Sequence, residues 1–138
     1  MRRYEKIEQE IAKVLADRAV AGYCLAIVNF IVSNDEQLSR HLTYRHLSQI
    51  LKVEASSDEL QAAISLLCSR FKALRFHMEF FDEEGATYDL SDAELSYFFR
   101  TGMLAHPHTG QIIKDPSEHL VPYLSASKKE LLSDIKND

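Results

Sequence analysis

Apolar residues recur at helical spacing through the first quarter of the chain. Ile7, Ile11, Val14 and Leu15 make one stripe, and Val20, Cys24, Ile27, Val28 and Ile31 make a wider one. The phase slips at Asp17 and Arg18, so residues 3–32 are expected to be helical with either a bend or a junction of two helices there. The second stripe is apolar almost all round. Such a helix must be covered on several sides, by its own domain or by a partner chain. Ser33, Asn34, Asp35 and Glu36 end the pattern.

Thr43 is a good N-cap for the next helix, in which Tyr44, Leu47, Ile50 and Leu51 share a face. Another helix starts at Ser56 or Ser57 and turns Leu60, Ala63, Ile64, Leu67, Cys68 and Phe71 inward. The connection between them is short, as a helix-turn-helix requires. At Leu74 the period changes to two. Leu74, Phe76, Met78 and Phe80 alternate with Arg75, His77, Glu79 and Phe81, the pattern of a half-buried strand. Asp82, Glu83, Glu84 and Gly85 make a turn in which Gly85 supplies a positive φ, and Thr87, Tyr88, Asp89 and Leu90 return as a second strand.

Ser91 then opens a capping box with Glu94. The helix that follows is expected to turn Leu95, Phe98 and Phe99 inward and to stop at Gly102. Residues 106–110 read as a turn and residues 111–114 as a short strand. Asp115 opens a helix with Pro116 in its first position, and Pro122 limits that helix to little more than a turn. Residues 127–130 cap a last helix carrying Leu131, Leu132 and Ile135, and the tail beyond is expected to fray.

The order helix, turn, helix, strand, turn, strand over residues 42–91 resembles the winged helix-turn-helix superfamily. The resemblance rests on order, spacing and hydrophobic phase together, not on one motif. It implies a mainly α (α+β) fold with a two-stranded wing and extra N- and C-terminal helices. The expected domain is a single one, residues 1–138, made of an N-terminal helical segment (1–34), the helix-turn-helix and wing (42–91) and C-terminal helices (92–138). In DNA-binding members the second helix of the pair lies in the major groove.

Charge argues against that use. The formal net charge is −5, whereas lysines and arginines are what replace the counterions around phosphate. The outward face of the second helix, with Asp58, Gln61, Ala62, Ser65 and Ser69, has no arginine or lysine before Arg70. Arginine or lysine to guanine is the commonest specific base contact. Asp82, Glu83 and Glu84 at the wing tip would be repelled by a negative minor groove. They read as a solvated turn or, functionally, as a contact for a basic partner surface. Basic residues gather elsewhere: Arg40, His41, Arg45, His46 and Lys52 around the first helix of the pair, Arg2, Arg3 and Lys6 at the N-terminus, and Arg70, Lys72 and Arg75 at the step into the wing. Arg40, Arg45, Lys52, Arg70 and Lys72 are the candidate contacts to a nucleic-acid backbone, without sequence reading.

Catalytic chemistry is thinly represented. His106 and His108, with Asp115 and His119 downstream, form the one grouping with metal-like spacing. Zinc needs three or four placed ligands, and a polar turn is the simpler reading. No nucleophile elbow, P-loop or H-E-x-x-H is present. The acids at 82–84 lie on a turn without a cleft, which gives general acid–base chemistry no setting. No cofactor is expected. Cys24 and Cys68 fall in helical apolar stripes without a C-x-x-C, and read as buried free thiols. The N-terminus is too polar for a signal peptide, and the apolar run 19–32 is too short to span a bilayer, so a cytoplasmic protein away from membranes is expected.

The expected function is a non-catalytic accessory or adaptor subunit that contacts another subunit, or a second copy of itself, within a larger DNA-acting complex. Small winged-helix subunits of chromosome-type ATPase complexes are an analogy at the level of fold. The alternative is a small dimeric winged-helix transcriptional regulator, and the least favoured is a metal-dependent enzyme using His106 and His108. Direct DNA contact is expected to be weak and not sequence-specific.

Overall fold

The computed structural model describes residues 1–135. Its elements are α1 (Arg3–Val14), α2 (Arg18–Ser33), a 3-10 turn (Glu36–Ser39), α3 (Tyr44–Leu51), α4 (Asp58–Ser69), β1 (Arg75–Phe81), β2 (Thr87–Asp89), α5 (Asp92–Thr101), β3 (Met103–Ala105), β4 (Ile112–Lys114), a second 3-10 turn (Pro116–His119), β5 (Leu120–Ser125) and α6 (Lys128–Leu132). The class is α+β. Where one domain is expected from the sequence, the chain packs as two compact units: Met1–Phe76 with the chain from Leu124 onward, and His77–Tyr123. The division falls within β1 and β5.

In the first unit, the phase slip at Asp17 is a junction of two helices. Asp17 caps α2, its carboxylate accepting from the Ala19 and Val20 amides at 2.9 and 3.2 Å. α2 packs on α1, α3, α4 and α6. Its apolar stripe of Val20, Cys24, Ile27, Val28 and Ile31 is buried within this unit, so this chain itself supplies the cover. Ile7 and Ile11 of α1, Leu47 of α3, Leu60, Ala63, Ile64 and Leu67 of α4 and Leu131 of α6 complete the core. Val14 and Ile50, which share a stripe with buried residues, are exposed. Burial pushes the Cys24 thiol up to about 11, which leaves it protonated and unreactive at neutral pH.

The helix starts are local chemistry. The Thr43 hydroxyl accepts from the His46 amide at 3.0 Å, and the His46 ring accepts from the Thr43 amide at 3.4 Å. Of the two serines eligible to start α4, Ser57 is the cap, accepting from the Leu60 amide at 3.3 Å.

In the second unit, β1 and β2 pair antiparallel with Glu79 opposite Asp89, Phe80 opposite Tyr88 and Phe81 opposite Thr87. Gly85 takes φ +85° in the connecting turn. The sheet order is β2–β1–β5. Met78 and Phe80 are buried, as the alternation predicts. His77, on the other side of the alternation, is half-buried and stacks on the Tyr123 ring at 4.7 Å between centroids. α5 begins with the expected Ser91–Glu94 box and stops at Gly102 with φ +74°. Leu95 is buried, but Phe99 is 65% exposed, contrary to its expected inward orientation. Among the described elements α5 packs chiefly on the short strand β3.

β3 and β5 are additions to the predicted elements. β3 pairs with β4, Leu104 lying opposite Ile113. β5 contains Pro122, which lacks an N–H, and lies at one edge of the sheet, where that lack is tolerated. Ser127 caps α6 as expected, but Ile135 lies beyond the end of that helix. The fraying expected past Ile135 falls outside the described residues. Among the described residues no helix is long and apolar enough to cross a membrane.

Candidate docking groove

The outward face of α4 carries Gln61, Ser65 and Ser69, opposite the buried Leu60, Ala63, Ile64 and Leu67. This face does not form a ridge. With Ile64 and Cys68 it lines an open groove of about 1190 Å³ within the first unit. Arg3 of α1 and Arg40, just past the first 3-10 turn, reach the same groove, as do Lys72 and Arg75.

Lys72 reaches the groove through a reversal of the chain. The Arg70 and Phe71 amides both donate to the Leu66 carbonyl, at 2.9 and 3.0 Å, and the Ala73 and Leu74 amides both donate to the Leu67 carbonyl, at 2.8 and 3.1 Å. Phe71, Ala73 and Leu74 turn into the core and Lys72 stays outside. It does so with φ +56°. A side chain in that left-handed region costs about 1 kcal/mol against a helical one.

Arg3, Arg40, Lys72 and Arg75 are all exposed. Among the described residues none of them makes an ion pair. Glu36 and Glu130 share the groove, so its cations outnumber its carboxylates in a chain whose net charge is −5. Burial raises the Cys68 thiol, with Lys72 pulling partly the other way. Burial, and then Cys68, raises the Tyr44 phenol. Both groups are therefore neutral hydrogen-bonding groups at physiological pH.

Of the candidate phosphate contacts, the structure brings Arg40 and Lys72 together and adds Arg3 and Arg75 to them. Arg45 and Arg70 lie outside the groove lining. Lys52 sits in a shallow depression bordered by Glu54, Asp58 and Glu59, so carboxylates interrupt a basic run from Arg45 through Lys52 to Arg70. Arg3 and Arg75 are far from Arg40 in sequence, and only tertiary packing groups them. The available signal for Arg75 was its outward position in the period-2 pattern.

The hairpin tip in the second unit is not three equivalent solvated carboxylates. The Asp82 side chain is 14% exposed. Its carboxylate accepts from the Glu84 amide at 3.0 Å and the Ala86 amide at 2.9 Å, and meets His106 Nε2 at 3.3 Å. His106 Nδ1 accepts from the His108 and Thr109 amides at 3.0 and 3.2 Å, so the proton of the neutral ring belongs on Nε2 and is donated to Asp82. Burial alone would raise the Asp82 carboxyl. The hydrogen bonds from Ala86, His106 and Glu84 outweigh it and hold the carboxyl below its ordinary value. Asp82 thus holds the turn, while Glu83 and Glu84 remain exposed. His106, the first member of the metal-like spacing, is engaged with Asp82. Among the described residues no group of three or more His, Cys, Asp or Glu side chains is placed to hold a metal ion.

The Asp82–His106 contact has a pH signature. An unfolded aspartate titrates near ~3.9, and the folded one titrates lower. Between those values the unfolded chain holds the proton more, so this contribution to stability is present above ~3.9 and is lost as pH falls through the folded value. Asp82→Asn is expected to lower the melting temperature at neutral pH, and the gap from wild type should narrow as the pH falls below ~3.9. Thermal melts followed by circular dichroism across that range would read it, and a gap independent of pH would exclude the carboxylate as the cause.

No protein-family model, curated protein or solved structure matches this chain. Its own surfaces are the basis for any functional reading.

Proposed function

We propose that the protein is a non-catalytic adaptor subunit on a winged helix-turn-helix plan, with α3 and α4 as the helix pair and β1–β2 as the wing, joining other proteins in a larger DNA-acting assembly. One observation carries this reading: the outward face of α4 lines a groove. A helix that reads bases must project into a major groove about 12 Å wide. A face within a concavity is reached more readily by an extended chain than by a duplex. The exposed Glu83 and Glu84 at the wing tip, and the carboxylates around Lys52, weigh in the same direction. α2 is not one of the docking surfaces, because its apolar stripe is already covered.

The second reading, a small dimeric DNA-binding regulator, draws on the cations beside α4 that make no ion pair among the described residues. The two part in a titration of the isolated chain with labelled duplex DNA at low and moderate salt. The adaptor reading expects weak binding, indifferent to sequence and falling steeply with salt. Tight, sequence-selective binding by the chain alone would overturn it.

A further inference from the structure

We infer that the groove over α4 holds an extended acidic segment of a partner protein, in which glutamates or aspartates are interspersed with apolar residues. This rests on the adaptor reading and names what the adaptor grips.

Charge is the first ground. Arg3, Arg40, Lys72 and Arg75 converge on one groove, exposed and without ion pairs among the described residues. Like charges gathered in this way repel one another and attract a carboxylate-bearing chain. The surrounding protein is acidic overall, so the groove stands out as a local attractor for an acidic ligand.

The lining is the second ground. Tyr44, Cys68 and Phe76, all half-buried, give apolar surface, while Gln61, Ser65 and Ser69 on α4 give polar groups. A peptide in extended form turns successive side chains to opposite sides and can use both kinds of surface.

The two carboxylates decide between peptide and nucleic acid. Glu36 and Glu130 lie in the same groove as the cations. A single strand of nucleic acid carries a charge at every phosphate and would be forced past both glutamates. A peptide sets its carboxylates opposite the cations and leaves uncharged residues opposite the glutamates.

Lys72 provides the cleanest handle. It occupies a left-handed position at φ +56° that glycine adopts without strain. Lys72→Gly therefore removes a groove cation without unfolding the chain.

The experiment uses the full chain and three labelled probes of equal length, followed by fluorescence anisotropy: a peptide alternating glutamate and leucine, its lysine–leucine counterpart, and oligo-dT. The glutamate probe should bind and weaken with salt, and the lysine probe should not bind. Lys72→Gly should weaken binding of the glutamate probe about fivefold while the melting temperature stays at or above that of wild type. Arg40→Glu should weaken it further. Three results would overturn the inference: tighter binding of oligo-dT, no binding of the glutamate probe, or binding unchanged in both variants. A fourth is self-association in sedimentation that Glu83→Lys abolishes, which would make a second copy's hairpin the occupant. If the glutamate probe fails while the chain still co-purifies with a partner and ignores duplex DNA, this inference falls and the adaptor reading stands.

Discussion

Leu67→Ala is expected to destabilise the first unit by ~2–5 kcal/mol. Leu67 is fully buried on the inner face of α4, which packs on α2. At the same contact the Cys24 thiol donates to the Ala63 carbonyl at 3.7 Å. Truncation loses the transfer free energy of the missing atoms and leaves a cavity between two helices that are fixed by other contacts. The Leu67 carbonyl also receives the Ala73 and Leu74 amides, so this is the point at which the chain reverses to carry Lys72 and Arg75 to the groove. Urea denaturation should show a lower midpoint with an unchanged slope. Ser65→Ala, on the outward face of the same helix, should stay within ~0.5 kcal/mol of wild type. A loss below ~1 kcal/mol for Leu67→Ala would contradict the packing of α4 on α2 described above.

The contrast between those two faces of α4 was legible in the sequence, because 3.6-residue periodicity is a property of the helix itself. So were Thr43, the serine start of α4, the Ser91–Glu94 box and Gly85, whose signals act over three or four residues. Periodicity says which residues share a face. It does not say whether anything covers that face. Ile50 and Phe99 fall in phase with buried neighbours and yet are exposed, because no described element covers them. The covering of α2 was open for the same reason, and α4 and α6, distant in sequence, supply it.

Strands whose partners are distant were the least legible. β3 spans Met103–Ala105, too short to establish an alternation, and β5 carries a proline that reads as a breaker until its edge position is known. The groove cations fall in three separate basic clusters of the sequence, around Arg3, Arg40 and Lys72–Arg75, and only packing brings the clusters to one groove. Asp82 looked like one of three equal acids. Its partner His106 is 24 residues away, in a segment whose histidines drew attention for their spacing to one another.

Tyr123→Phe should bring the other large loss, ~1–2 kcal/mol, in the second unit. Tyr123 on β5 is buried, its hydroxyl donates to Asp89 on β2 at 2.8 Å, and its ring stacks on His77 of the intervening β1. Phenylalanine keeps the stack and removes the bond between the two edge strands. A hydrogen bond to a charged acceptor can contribute up to ~3 kcal/mol, but Asp89 is exposed and water can replace part of what it loses. Burial, then the bond to Asp89 and the charges of Asp89 and Glu79, push the phenol up to about 12. An unfolded tyrosine titrates near ~10. Between these values the folded protein keeps the proton that the unfolded chain releases, so stability falls as pH rises through the window. The contribution is full below ~10 and is lost as pH climbs through the folded value. Urea denaturation of wild type and Tyr123→Phe at neutral pH and at about pH 11 should therefore show the gap between them narrowing at the higher pH. A gap that stays constant across the two conditions would mean that the protonated phenol is not what ties β5 to β2.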